Sequence, residues 1–157
     1  MGTIKATNSE SLQHFLVRLH NEIRSVFPEI SRIALASYDS ETDFIKTFLQ
    51  SNDKDISLKH YTKKLNEVPS LKRLAVEICH RVIDDLTNNG NSNSVHVSAI
   101  FSSGFLSSYT IPYYYDDGLF AGFLFFNASE RSFFKEAVIK KLSVFVELIL
   151  TKTINAV

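Results

Sequence analysis

The stretch from Ser107 to Phe126 limits what this chain can fold into more than any other. Ser107 to Tyr115 is rich in Tyr and β-branched residues. Asp116-Asp117-Gly118 follows, and Leu119 to Phe126 is a near-continuous apolar run. Asp-Gly between two such runs is a strong hairpin signal, because glycine accepts the positive φ that a tight turn demands. The second strand has no polar face, so it must be covered on both sides. It is therefore expected at the centre of a sheet that carries a layer on each face.

The remaining segments supply those layers. Leu12, Phe15, Leu16, Leu19, Ile23 and Val26 recur at helical spacing within Ser9 to Phe27. Thr7 and Glu10 have the form of a capping box, and Pro28 ends the segment. Ser31 to Tyr38 and Phe44 to Gln50 read as a second hairpin across the polar turn of residues 39–43. Ser51 to Glu67 is weakly patterned and is expected to be a loop with a short helix. After Pro69, the spacing of Leu71, Leu74, Ile78 and Val82 predicts a helix over Ser70 to Val82, with Glu77 and Arg81 paired across one turn. Asn88 to Ser94 reads as a solvated loop, and Val95 to Phe101 as a short helix closed by Gly104. The last helix is expected from Phe133 to the C-terminus. Adjacent strands flanked by helices indicate α+β architecture with an antiparallel sheet.

Charge and cysteine content narrow the function. Lys plus Arg number 17 and Asp plus Glu number 17, so the formal net charge is zero. That balance argues against nucleic-acid binding by phosphate neutralisation and against a basic membrane surface. A single cysteine, Cys79, can form neither an internal disulfide nor a cysteine-rich zinc site. With no apolar run near the N-terminus, a cytoplasmic location is expected. The 157 residues are read as one domain, its core spanning about residues 9–156.

In order and spacing the chain resembles the GAF domain family. The resemblance is carried by Arg32 to Tyr38 with the following turn, by Val68-Pro69-Ser70-Leu71, and by Val82-Ile83-Asp84-Asp85-Leu86. It continues through Ser107-Ser108-Tyr109-Thr110-Ile111-Pro112 into Gly122-Phe123-Leu124-Phe125-Phe126-Asn127, and through the helix after Phe133. Each piece is a packing or turn motif, and the match runs from Ser9 onward. The resemblance implies a central antiparallel sheet with the terminal helices on one face. A loop and short-helix cover would enclose a pocket on the other, over roughly Ser51 to Gly104. It implies a non-catalytic regulatory sensor that binds a small molecule, acts as a homodimer through its terminal helices and signals to an output domain. A ligand-free dimerisation or docking module is the alternative.

The resemblance does not name a cofactor. Cys79 lies ahead of the region where bilin-binding members carry theirs, and one cysteine cannot supply the disulfide relay of the free methionine sulfoxide reductases. Asn127-Ala128-Ser129 does not continue as the Asn-Lys-Phe-Asp-Glu signature of cyclic-nucleotide binders.

Strand alternation supplies the candidate ligand-binding residues. If Ile33 and Leu35 face the end helices, then Ala34, Ala36 and Tyr38 face the pocket. Ser108, Tyr109 and Thr110 offer hydroxyls whose direction depends on register. Tyr61, Phe101 and Phe105 are candidate walls, although Phe side chains could equally fill the space. Asp84-Asp85 and Asp116-Asp117 read as turns rather than metal sites. His60 and His96 are the two histidines placed where they could ligate a haem. Cys79 reads as a small apolar residue. On the last helix, Val144, Val146 and Leu150 widen the apolar stripe beyond one contact surface, which points to an interface.

Overall fold

The computed structural model describes residues 10–51, 62–87 and 104–156. These contain three helices, α1 (Leu12–Val26), α2 (Pro69–Glu77) and α3 (Glu136–Asn155), and a 3-10 turn at Leu65–Glu67. Six strands make one sheet: β1 (Ile30–Asp39), β2 (Phe44–Gln50), β3 (Thr62–Lys64), β4 (Arg81–Ile83), β5 (Ser107–Tyr114) and β6 (Phe120–Ala128). Their order is β3-β2-β1-β6-β5-β4, and each neighbouring pair is antiparallel.

β6 is central, as its two apolar faces require. Every residue from Ala121 to Ala128 is buried. Leu124 and Phe126 face α1 and α3 in one core with Leu16, Leu19, Ile23, Ile33, Leu35, Leu142 and Ile149. Phe123 and Phe125 face the other way, into a core with Ala34, Ala36, Ile45, Leu65, Val68, Leu71 and Leu74. Burying each such large apolar side chain contributes about 2 kcal/mol relative to exposure.

The turns carry the expected chemistry. Asp117 Oδ1 accepts from the Leu119 amide at 3.0 Å, and Gly118 sits at φ 89°. In the first hairpin Asp39 accepts from the Glu41 amide at 3.0 Å, while Asp43 takes φ 63°. Gly122 has a different role. A Cβ there would lie 1.9 Å from the Ala36 carbonyl oxygen, to which Tyr113 also donates at 3.2 Å. Only glycine lets β1 and β6 close at this point.

Several sequence expectations are corrected. α1 is capped by Ser11, whose side chain accepts from the His14 amide, and Glu10 instead pairs with Arg18 at 3.0 Å. Val26 is exposed rather than part of the buried stripe. α2 stops at Glu77, because Ile78 takes the left-handed conformation at φ 54° and turns the chain into β4. Glu77 therefore pairs with Arg73, and Arg81 lies on a strand. Of the segment before α2, residues 52–61 lie outside the described residues; the rest adds β3 to the short helix expected there, which is the 3-10 turn. α3 begins at Glu136, while Phe133 and Phe134 pack ahead of it. The short helix over Val95 to Phe101 and the loop over Asn88 to Ser94 lie outside the described residues.

α1 is fixed to the sheet through a buried histidine. His20 Nε2 donates to the Ile30 carbonyl at 2.8 Å, and burial lowers the His20 pKa. The folded protein thus binds this proton more weakly than the unfolded chain, whose histidines titrate near about 6.5. Stability should be fully present above that pH and fall progressively as pH drops below it. Denaturation midpoints across this range should show the loss, and His20→Gln should flatten it. Separately, Gly122→Ala should cost about 3 kcal/mol through its clash with the Ala36 carbonyl, measured as a lowered midpoint at unchanged denaturant slope.

Candidate functional site

The sheet face away from α1 and α3 changes character along its length. Alternation on β1 directs Arg32, Ala34, Ala36 and Tyr38 to this side. The strand registers then extend each residue into a row. Arg32 lies beside Asn127, Asn127 beside Ser108, and Ser108 beside Ile83. In the next row stand Gln50, Ala34, Phe125, Thr110 and Arg81. Beyond Phe125 the face is apolar and lies under α2. At the Asn127 end it is polar and deeply buried.

Arg32 organises part of this polar end. It is 2% exposed; its Nε donates to Gln50 Oε1 at 3.0 Å and its Nη1 to Asn127 Oδ1 at 2.7 Å. Asn127 and Ser108 are wholly buried, yet Asn127 Nδ2 and Ser108 Oγ have no hydrogen-bond partner among the described residues. The same is true of the buried Nε of Arg81. Arg81 Nη1 and Nη2 reach Ser70 Oγ and Thr110 Oγ1 only at 3.3 and 3.5 Å, both long for charged donors. Desolvation lowers the Arg81 pKa to about 10, with no carboxylate among the described residues close enough to oppose it. Buried polar atoms are normally paired, so three orphans on one face need an explanation.

Ala34 and Ala36 face this side as expected. They share one buried cluster with Leu65, Val68, Leu71 and Leu74, so side chains of the 3-10 turn and α2 cover them. Tyr38 lies at the far end, against Phe120 at 5.1 Å, where its hydroxyl donates to Asp43 Oδ1 at 2.8 Å. It fastens the first hairpin and is remote from the orphan atoms. Ser108 and Thr110 fall within the polar end. Tyr109 does not, because its partner Phe126 faces the terminal helices. It packs there against Phe126, Phe134 and His80 at 5.9, 5.7 and 5.4 Å. Phe105 is buried just ahead of β5. Tyr61, Phe101, His60 and His96 lie outside the described residues.

The acidic pairs are structural. Asp85 accepts from the Thr87 amide at 2.9 Å and pairs with Arg131 at 3.1 Å. No group of three or more His, Cys, Asp or Glu able to hold a metal ion occurs among the described residues. Among them, too, no helix is long and apolar enough to cross a membrane. Cys79 packs partly buried against the α2 core, beyond the end of the helix.

Sequence reasoning missed Arg32, Gln50, Asn127 and Arg81. Arg32 was readable: it shares the alternation of Ala34 and Ala36 yet is charged. Asn127 likewise continues the phase of Phe123 and Phe125. Arg81 was hidden by the helix assigned to its segment.

An α+β fold is thus defined, with an antiparallel sheet between a helix-covered face and a face that ends in polar groups, three of whose atoms have no partner among the described residues. No family model matches the sequence, and no curated protein does. Solved structures do match. The phycocyanobilin-bound GAF domain of a cyanobacterial phytochrome is similar with TM-score 0.68 at 18% identity, over 98% of this chain and 90% of that one. The GAF domain of a two-component sensor histidine kinase from Bacillus halodurans gives 0.63 at 15% identity, over 84% and 85%. A type II free methionine-R-sulfoxide reductase from Thermoplasma acidophilum gives 0.63 at 12%, over 90% and 94%. The protein has the GAF-domain fold.

Buried Arg32 and half-buried Arg81 should respond differently to removal of charge. Arg32→Met removes the donors to Gln50 Oε1 and Asn127 Oδ1, and should cost about 3 kcal/mol. Arg81→Met removes a desolvated guanidinium that gains little from its long contacts. It should be neutral or stabilising in equilibrium denaturation without added ligand. A loss at Arg81 as large as that at Arg32 would make Arg81 a structural residue.

Proposed function

We propose that the chain is a non-catalytic regulatory sensor. It would act as one domain that takes up a small molecule against the polar end of the β1-β6-β5-β4 face. The carrying observation is that Arg81 Nε, Ser108 Oγ and Asn127 Nδ2, on three neighbouring strands of the face opposite the terminal helices, are buried and unpartnered among the described residues. A bound molecule that accepts hydrogen bonds would satisfy Arg81 and Asn127 together, which a purely structural face leaves unexplained. The fold supports the reading: one similar structure is the phycocyanobilin-bound GAF domain, and another comes from a sensor histidine kinase. Binding would bias β1 and β6, whose other faces carry α1 and α3, and so couple the site to the terminal helices.

The same reading takes the functional unit to be a homodimer joined through α3. Val144 and Leu148 are 63% and 48% exposed, one helical turn apart, and with Phe15 of α1 they line a shallow apolar groove. Val146 and Leu150 pack against the helix-side core instead, so the free surface is narrower than the sequence implied. This groove also favours the second reading, a docking module that binds no ligand.

Native and denaturing mass spectra of the purified protein separate the two. The sensor reading expects a mass above the polypeptide that is lost on denaturation, in a dimeric species that Leu148→Glu converts to monomer. A dimer at the bare polypeptide mass, with no small molecule from a cell extract raising its melting temperature, would leave the docking module.

A further inference from the structure

The charges around the orphan atoms point to what the ligand carries. Arg81 brings a positive charge to β4, and its Nη1 lies against Ser70 in the first turn of α2. That turn is the positive end of a nine-residue helix whose first residue is Pro69 and whose N-cap side chain makes no hydrogen bond. Two sources of positive potential thus adjoin, with no carboxylate among the described residues paired to Arg81. Along the same face the unpartnered groups are again donors: Asn127 Nδ2, and Ser108 Oγ, which can donate or accept. Thr110 stands between Arg81 and Phe125 in the row, and Ser108 lies two residues before it on the same face of β5. This spacing, about 7 Å along a strand, is within reach of an arginine side chain and one small ligand.

We infer that the site takes a small organic carboxylate, its carboxyl group held by the Arg81 fork and its remainder turned toward Ser108 and Asn127. The inference rests on the sensor reading and specifies its ligand class. A carboxylate carries one negative charge, which suits the Arg81 guanidinium, paired with no carboxylate among the described residues. A guanidinium Nε and one Nη present two parallel N–H groups at the spacing of carboxylate oxygens. Lowering of the Arg81 pKa by burial agrees with a site built to be neutralised on binding.

The test follows the Arg81 Nε–H resonance of the full chain by nitrogen-15 NMR, with melting temperature read in parallel. Acetate, succinate and benzoate are titrated, then inorganic phosphate, then acetamide, succinamide and benzamide. At least one carboxylate should shift the Arg81 signal saturably and raise the melting temperature. Its amide should bind at least tenfold more weakly. Arg81→Met should weaken the carboxylate at least tenfold, and Arg81→Lys should recover only part of it. Equal or tighter binding of phosphate would overturn the carboxylate assignment. Preference for an amide, with Arg81→Met unaffected, would overturn it too and leave the sensor reading standing with a neutral ligand. No response to any probe, from a protein whose native mass spectrum is that of the bare polypeptide, would remove both.

Discussion

The antiparallel pairing of β1 with β6 sets Arg32 beside Asn127, Ala34 beside Phe125 and Ala36 beside Phe123, and the rest of the molecule is arranged around it. Both strands are interior to the sheet, so each needs a layer on either side. α1 and α3 supply one layer, and the 3-10 turn with α2 supplies the other. The pairing tolerates no side chain at Gly122, where the Ala36 carbonyl approaches and receives the Tyr113 hydroxyl. A single close contact thus ties β1, β5 and β6 together from one side, while Arg32 ties β1, β2 and β6 from the other.

The two faces meet different physical requirements. Toward the terminal helices the contacts are aliphatic and aromatic, with His20 as a buried polar group satisfied by a backbone carbonyl. Under α2 the face is apolar again, and small residues at Ala34 and Ala36 admit the leucines of α2 rather than leaving a void. The polar end departs from this economy. It buries an asparagine and a serine and half-buries Arg81, each with an atom left unpaired among the described residues. Such groups weaken a fold unless something meets them, and departures of this kind gather at functional sites.

Much of the architecture was readable from the chain. The Asp-Gly turn and the two-faced apolar run of β6 required a central hairpin strand, and the phase of Ile33 and Leu35 against Ala34 and Ala36 sorted β1 into its two faces. The site was less legible. Leu74, Ile78 and Val82 are spaced four apart, so the helical period continues past the point where Ile78 breaks it. β4 has only three residues, too few for alternation to show. Arg81 was therefore sought on a helix. Tyr109 was assigned by its hydroxyl, whereas its direction follows from its register partner Phe126. Arg32 and Asn127 continue the phase of Ala34, Ala36, Phe123 and Phe125 in sequence, but only the β1–β6 register sets them beside each other. Likewise, which of the apolar α3 residues lie free depends on how the helix sits: Val144 and Leu148 do, Val146 and Leu150 do not.

That the polar end of this face awaits a ligand is most directly tested by a high-resolution crystal structure of the protein as purified, refined with attention to density beside Arg81, Ser108 and Asn127. A non-protein molecule should lie in contact with Arg81 Nε and with at least one of Ser108 Oγ and Asn127 Nδ2. Side chains of this same chain completing all three hydrogen-bond sets would contradict it, and would make the cluster a structural network closed on itself.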